Sequence, residues 1–214
     1  MYKSDFITHN IKTNGNWEKE NDTIYKYLLT EDSVVIDVGA FIGTETVKMA
    51  KRCKQVYSFE PFKQSFNLLN KNLELNNVNN VQVFQNAVGN EAKIIDKMYF
   101  PKETAIGLNI TNYGAMRTTF DFKQNTCINV DVSMFRLDDM FPDNKIDFIK
   151  IDSEGCDVDV VRGAKNIIKR CKPYILFENH NILDEMMIEL DEFHYRFEKV
   201  GVENVFAIPY IDLL

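Results

Sequence analysis

The sequence reads as a Rossmann-like α/β domain. It predicts a seven-stranded, mostly parallel sheet with an antiparallel C-terminal strand and helices on both faces. Three observations carry this reading. From residue 33 onward, short β-branched runs alternate with helical periodicity; the first run ends in a glycine loop; an acid closes the second.

Ser33–Asp37 (SVVID) is a short apolar run ending at that loop, as a buried parallel strand does. Thr44–Lys51 follows as a short helix, and Gln55–Glu60 (QVYSFE) as the second strand. Pro61 stands where a helix starts. Phe62, Phe66, Leu69 and Leu73 then form one apolar helix face, which ends in the Asn-rich stretch 76–80. Val81–Gln85 is the third strand.

Residues 94–134 form an insert. Ile94–Phe100 and Thr126–Val132 can pair as strands, and the polar stretch Pro101–Gln124 between them is a candidate substrate lid. Regular alternation returns at Ile146–Asp152 (IDFIKID), with Asp157 placed to cap the next helix. That helix carries Val160, Val161, Ala164, Ile167, Ile168 and Cys171 as one broad stripe and stops at Pro173. Tyr174–Glu178 is a strand and Ile182–Leu190 a helix; Tyr195–Val200 and Val205–Pro209 close the chain as a strand pair. All 214 residues read as a single domain, with 1–32 as an N-terminal cover segment that includes Trp17 and Glu18.

Composition narrows the partners. A net charge of −7 offers no long-range attraction to a phosphate backbone, so nucleic acid is not the expected partner. No apolar run reaches the ~18 residues of a membrane span. The polar N-terminus has no apolar leader core, and the four cysteines lack CxxC spacing, so the expectation is reduced thiols in a cytoplasmic protein.

The chemistry gathers at the carboxyl ends of the strands, where open α/β sheets bind ligands. In DVGAFIG (Asp37–Gly43) Gly39 permits a sharp turn, and Gly43 brings a helix N-terminus towards a ligand. The order DxGxxxG is not the GxGxxG of dinucleotide folds. Glu60, 23 residues after Asp37, is placed to accept hydrogen bonds from both ribose hydroxyls of an adenosine; its plainer reading is a solvated acid before a helix. Asn86 and Ala87 end the third strand and can read an adenine, although Asn is also a common turn residue. Asp152, Glu154, Glu178, Asn179 and His180 end two neighbouring strands and can converge on one rim, or serve only as caps and solvated loop residues.

Taken together, VVIDVGAFIG, VYSFEPFKQSFNLLNKNLELNN, VQVFQNAVGN, RLDDMF and IDFIKIDSEGCDVDVVRGAKNIIKRCKPYILFE resemble the FkbM-type family of S-adenosylmethionine-dependent methyltransferases. The resemblance runs from about Asn16 to Asn181. It implies a class I methyltransferase fold and O-methylation of sugars, glycans or related small molecules. It places Asp37, Gly39, Ala40, Phe41 and Gly43 beside the methionine part of the cofactor, Glu60 with Pro61 at the ribose, and Asn86 with Ala87 at the adenine. Asp152 and Glu154 face the methyl group. The chain departs from the family at Phe41, usually Asn, which bears on a loop hydrogen bond to the cofactor. It also departs at Asp157, usually Glu, which alters a helix start.

Methyl transfer from a sulfonium to a hydroxyl asks for alignment and a proton acceptor. Asp152 and His180 are the first two candidates for that acceptor and Glu178 the third. A hard cation, Mg2+ or Mn2+, held by Asp152, Glu154 and Glu178 is a second route to an acidified hydroxyl. Three rivals remain: a nicotinamide dehydrogenase, disfavoured by the missing GxGxxG; a base methyltransferase, disfavoured by charge and by the absence of an NPPY or DPPY tetrapeptide; and a module that binds S-adenosylmethionine without turnover.

Overall fold

The structure, a computed structural model, describes residues 11–13, 15, 18–100 and 126–210. The expected 101–124 lid and Trp17 lie outside these residues.

The main sheet holds β1 (Val34–Val38), β2 (Gln55–Phe59), β3 (Val81–Phe84), β7 (Phe148–Ile151), β8 (Tyr174–Glu178), β9 (Tyr195–Val200) and β10 (Asn204–Pro209). Its order is β3-β2-β1-β7-β8-β10-β9. The first five of these strands are mutually parallel, and β10 runs antiparallel to both β8 and β9. The expected sheet is therefore the one observed. A second sheet joins β4 (Ala87–Val88), β6 (Thr126–Phe135) and β5 (Lys93–Phe100). The pairing of the last two was expected, but β6 runs on to Phe135, and the two-residue β4 is too short for a sequence pattern to reveal.

Strand alternation sorts the core into two layers. Ile36, Val38, Ile149, Ile151, Ile175 and Phe177 face α5 (Asp157–Arg162), α6 (Lys165–Cys171) and α7 (Leu183–Leu190). Val35, Val56, Phe148, Leu176 and Phe206 face the other way, against Tyr25 of α1 (Asn21–Leu28) and Met49 of α2 (Thr44–Ala50). Two further helices are α3 (Lys63–Leu75), which buries Leu69 and Leu73, and the short α4 (Leu137–Met140).

Two expectations need correction. The helix after β7 is not continuous: α5 and α6 are separated at Gly163–Ala164. A Cβ on Gly163 would lie 2.1 Å from the Gly89 carbonyl oxygen, so the chain passes too close to the second sheet for any other residue. The Asp138 carboxylate, from α4, accepts the N–H groups of Asn166 (3.0 Å) and Ile167 (2.9 Å) and so satisfies the start of α6. Secondly, α3 begins at Lys63, after Pro61 and an extended Phe62.

The described residues contain no helix long and apolar enough to cross a membrane. Cys53, Cys156 and Cys171 are free thiols.

Candidate active site

The carboxyl ends of β1, β7 and β8 stand side by side, because these strands are neighbours in the sheet. Asp37 on β1 pairs in register with Ser58 on β2 and Lys150 on β7. Residues in register share a face. A polar row therefore crosses an otherwise apolar layer, and Ser58, Asp37 and Lys150 are all buried in it. One step further along, Asp152 extends the ladder by donating its N–H to the Val38 carbonyl (3.0 Å).

Lys150 organises this row, and sequence reasoning gave it no role. Its Nζ lies 2.9 Å from Asp152 Oδ2. Burial opposes its charge, yet Asp152, Glu18, Asp37 and Glu45 around it hold its pKa well above the ordinary lysine value. The signal was present in IDFIKID: a lysine in a central apolar strand needs buried counter-charges.

A recess of about 320 Å³ opens above this row, lined by Glu18, Asp37, Gly39, Ala40, Phe41, Thr44, Glu45, Lys150 and Asp152. Four of the liners are acids and one is a base. Glu18 and Glu45 are the other residues that sequence reasoning missed or left unassigned. Glu18 accepts hydrogen bonds from Asn21 (3.0 Å) and from Asn204 of β10 (3.3 Å), which carries the segment before α1 to the mouth of the recess. Glu45, in the first turn of α2, accepts the Tyr25 hydroxyl (2.8 Å) and meets Lys48 Nζ at 2.7 Å.

The glycine loop is built as its sequence suggests, with an added reason. Gly39 has φ +80°, and a Cβ there would fall 1.8 Å from the Asp152 carbonyl oxygen. Gly43 has φ +86°, and a Cβ would meet Leu69 of α3 at 2.4 Å. Both glycines are thus demanded by packing within the protein as well as by the turn. Phe41 sits at φ +49°, a region where Asn is far commoner than a bulky residue, which accounts for the Asn usual in the resembled family.

One Asp37 oxygen accepts the Thr46 hydroxyl, while the other is buried without a hydrogen-bond partner. Burial raises the Asp37 pKa to about 6, against the pull of Lys150. Glu60 is buried at the end of β2, outside the lining of the recess. Its two oxygens accept the backbone N–H groups of Phe41 and Phe62, each at 2.8 Å, so it ties the glycine loop to the start of α3. Burial pushes its pKa up to about 8, even though both amide bonds favour the anion. Asn86 donates its amide to the Ser133 carbonyl (3.2 Å), and Ala87 lies buried in β4; both anchor the second sheet.

The rim holds Glu154, Glu178 and His180. His180 Nε2 lies 3.0 Å from Glu178 Oε2 and 3.8 Å from Glu154 Oε2. The Glu178 carboxylate raises the His180 pKa to about 9. The contact with Glu178 thus favours the protonated imidazole. Burial raises Glu178 above its ordinary value, with His180 pulling it down and Asp152 pushing it up. Burial also works against the Asp152 anion, but Lys150 outweighs it and Asp152 ends below the usual carboxylate range.

Of the residues expected to hold a metal, Glu154 and Glu178 lie together on the rim. The carboxylate of Asp152 is engaged by Lys150, and the groups that gather are Glu154, Glu178 and His180. Asp157 does not cap its helix. Its oxygens turn back to accept the N–H groups of Ser153 (3.2 Å) and Gly155 (3.1 Å), holding the loop that presents Glu154.

These shifts fix the sign of a pH dependence. Asp37, Glu18 (raised by burial to about 7) and Glu60 bind protons more tightly folded than unfolded. Their contribution to stability is fullest below the ordinary carboxylate range and is lost as pH rises through about 6, 7 and 8. His180 adds a loss of the same sign through about 9. Asp152, shifted the other way, acts only at the acid end. The ligand-free protein is expected to melt several degrees lower at about pH 8.5 than at about pH 5.5. Calorimetric scans at the two pH values would check this, and a higher melting point at the alkaline end would refute it.

Comparison with known proteins matches this architecture. The chain is 27% identical over 176 residues to "Methyltransferase 1" of Beauveria bassiana, covering 75% of this chain and 65% of that protein. A methyltransferase FkbM from Methylobacillus flagellatus superposes with a TM-score of 0.57 at 14% identity, over 84% of this chain and 44% of that one. A Streptococcus mutans protein assigned as a methyltransferase, solved in complex with SAH, gives 0.54 at 13% identity, over 89% of this chain and 98% of that one. The chain thus spans about two thirds of the fungal relative and less than half of the Methylobacillus protein. The model of the methyltransferase FkbM domain matches residues 37–208, from the acid of the glycine loop to the last strand, and the chain belongs to that family.

Proposed function

We propose that this protein binds S-adenosylmethionine in the acidic recess and transfers its methyl group to a hydroxyl of a sugar, glycan or related small molecule. The observation that carries the reading is the position of Asp152. It lines the recess, and it also interacts with Glu178 on the rim. One carboxylate is therefore common to the place for a donor and the place for an acceptor.

The recess suits the donor by charge. S-adenosylmethionine carries a sulfonium and an ammonium group, and Glu18, Asp37, Glu45 and Asp152 outnumber the single Lys150. The unpartnered Asp37 oxygen is an acceptor ready for a ligand N–H. Lys150 keeps the cluster from being an uncompensated pile of anions. Glu60, with Pro61 beside it, holds the loop at Phe41 and has lone pairs left for ribose hydroxyls. In this reading Asn86 and Ala87 border the adenine.

When bound, the donor supplies a methyl group already activated on sulfur. The chain supplies alignment and a destination for the acceptor's proton. Asp152 stays ionised across the neutral range and accepts the acceptor's O–H, first as a hydrogen bond and then as the proton leaves. An acid-rich rim of Glu154 and Glu178 offers further acceptors to the neighbouring hydroxyls of a polyol.

Calorimetric titration with S-adenosylmethionine and its demethylated product, on wild type and Glu60→Gln, tests the donor half. Micromolar binding is expected in the wild type. The variant replaces one acceptor oxygen with an amide donor, which should weaken it by about tenfold. A well-folded wild type that binds neither compound would refute the reading.

A further inference from the structure

We propose that Glu154, Glu178 and His180 form a binding site for one divalent transition-metal ion, of the Mn2+ or Zn2+ kind, at the acceptor rim. The site differs from the all-oxygen triad expected from sequence in its third ligand, and so in the metal it selects.

The geometry comes first. One ligand atom from each residue lies within 4.8 Å of the other two. The two separations from His180 Nε2 are 3.0 and 3.8 Å. Ligands about 2.0–2.2 Å from a common ion stand about 3–4 Å apart in tetrahedral or octahedral arrangements. The two separations from His180 match that spacing, and the two carboxylates lie within 4.8 Å of each other. They come from the ends of two adjacent strands, β7 and β8, and Asp157 fixes the loop that carries Glu154.

A second observation concerns His180 itself. Its Nε2 is shielded from solvent and turned towards the two carboxylates of the cluster, 3.0 Å from Glu178 and 3.8 Å from Glu154. An ion entering between the three groups takes the place of the Nε2 proton that the carboxylates face. Charge agrees, since two carboxylates and the imidazole, once the ion has displaced its proton, balance one dication.

The chemistry of the set decides the metal. Magnesium and calcium prefer oxygen alone, whereas an imidazole with two carboxylates suits manganese, iron or zinc. Three protein ligands leave coordination positions open, as in catalytic sites. Those positions would take acceptor oxygens, for which two adjacent hydroxyls of a sugar are a fitting pair. This last role rests on the reading of the function given above; the metal site itself does not.

The test uses the full chain, stripped with a chelator and free of donor. Mn2+ is titrated with the loss of its free electron-spin-resonance signal as readout, and Zn2+ by calorimetry. One equivalent should bind, and His180→Ala and Glu154→Gln should each weaken it by about tenfold or more. Circular dichroism and thermal melting of both variants serve as the check on folding. Absence of Mn2+ and Zn2+ binding at millimolar ion, or binding indifferent to both substitutions in folded variants, would overturn the proposal. Metal binding in a protein that ignores S-adenosylmethionine would sustain this site while sinking the methyl-transfer reading.

Discussion

Lys150→Met is expected to destabilise the protein by about 3–5 kcal/mol, the usual result of removing one partner from a buried ion pair. Methionine fills nearly the same volume, so the loss is electrostatic rather than a cavity. Glu18, Asp37, Glu45 and Asp152 would be left facing one another without a cation in the recess. Each could escape only by taking up a proton or by opening the structure to water. Two consequences separate this account from a packing defect. The variant should regain stability as pH is lowered and the carboxylates protonate. Adding Asp152→Asn should restore part of the loss, because it removes the anion that Lys150 holds at 2.9 Å. Urea unfolding of the wild type, the single variants and the double variant measures both. A loss in Lys150→Met below about 1 kcal/mol, independent of pH, would mean that the ammonium is not balancing the cluster.

Asp152→Asn alone is expected to lower the methyl-transfer rate by about 10²–10⁴-fold, the range for removing a proton acceptor. The amide keeps the shape of the carboxylate but can take no proton from the acceptor hydroxyl. Donor affinity should move much less, within about tenfold, because Glu18, Asp37 and Glu45 still line the recess. Single-turnover rates with S-adenosylmethionine in excess, beside calorimetric donor affinity, give the two quantities separately. Equal losses in both would make Asp152 a binding residue only. An unchanged rate would remove it from the chemistry.

Much of the fold was legible because its signals are local. Val34–Ile36 and Tyr174–Phe177 are continuous apolar runs, of the kind that a strand covered on both faces carries, and Gln55–Glu60 alternates as a strand does. The glycines at 39 and 43 marked a strand-to-helix turn, and both have positive φ. The break between α5 and α6 was not legible. Its causes are the approach of Gly89 to Gly163 and the carboxylate of Asp138, both distant in sequence. The apolar stripe runs unbroken across the gap, so periodicity alone joined the two helices.

The site divides along the same line. The sequence by itself determined which residues arrive at the carboxyl edge of the sheet, because strand period and loop position follow from local pattern: Asp37, Glu60, Asp152, Glu154, Glu178 and His180 are all there. It could not determine their partners or their charge. Only the tertiary structure sets Lys150 in register with Asp37, brings Glu18 across to Asn204, turns Asp157 back onto its own loop and presses Glu178 against His180. Protonation follows from those contacts, since desolvation and neighbouring charge act through space and not along the chain. That is why the charge of the rim histidine, and the contact between it and Glu178, could not be read along the chain.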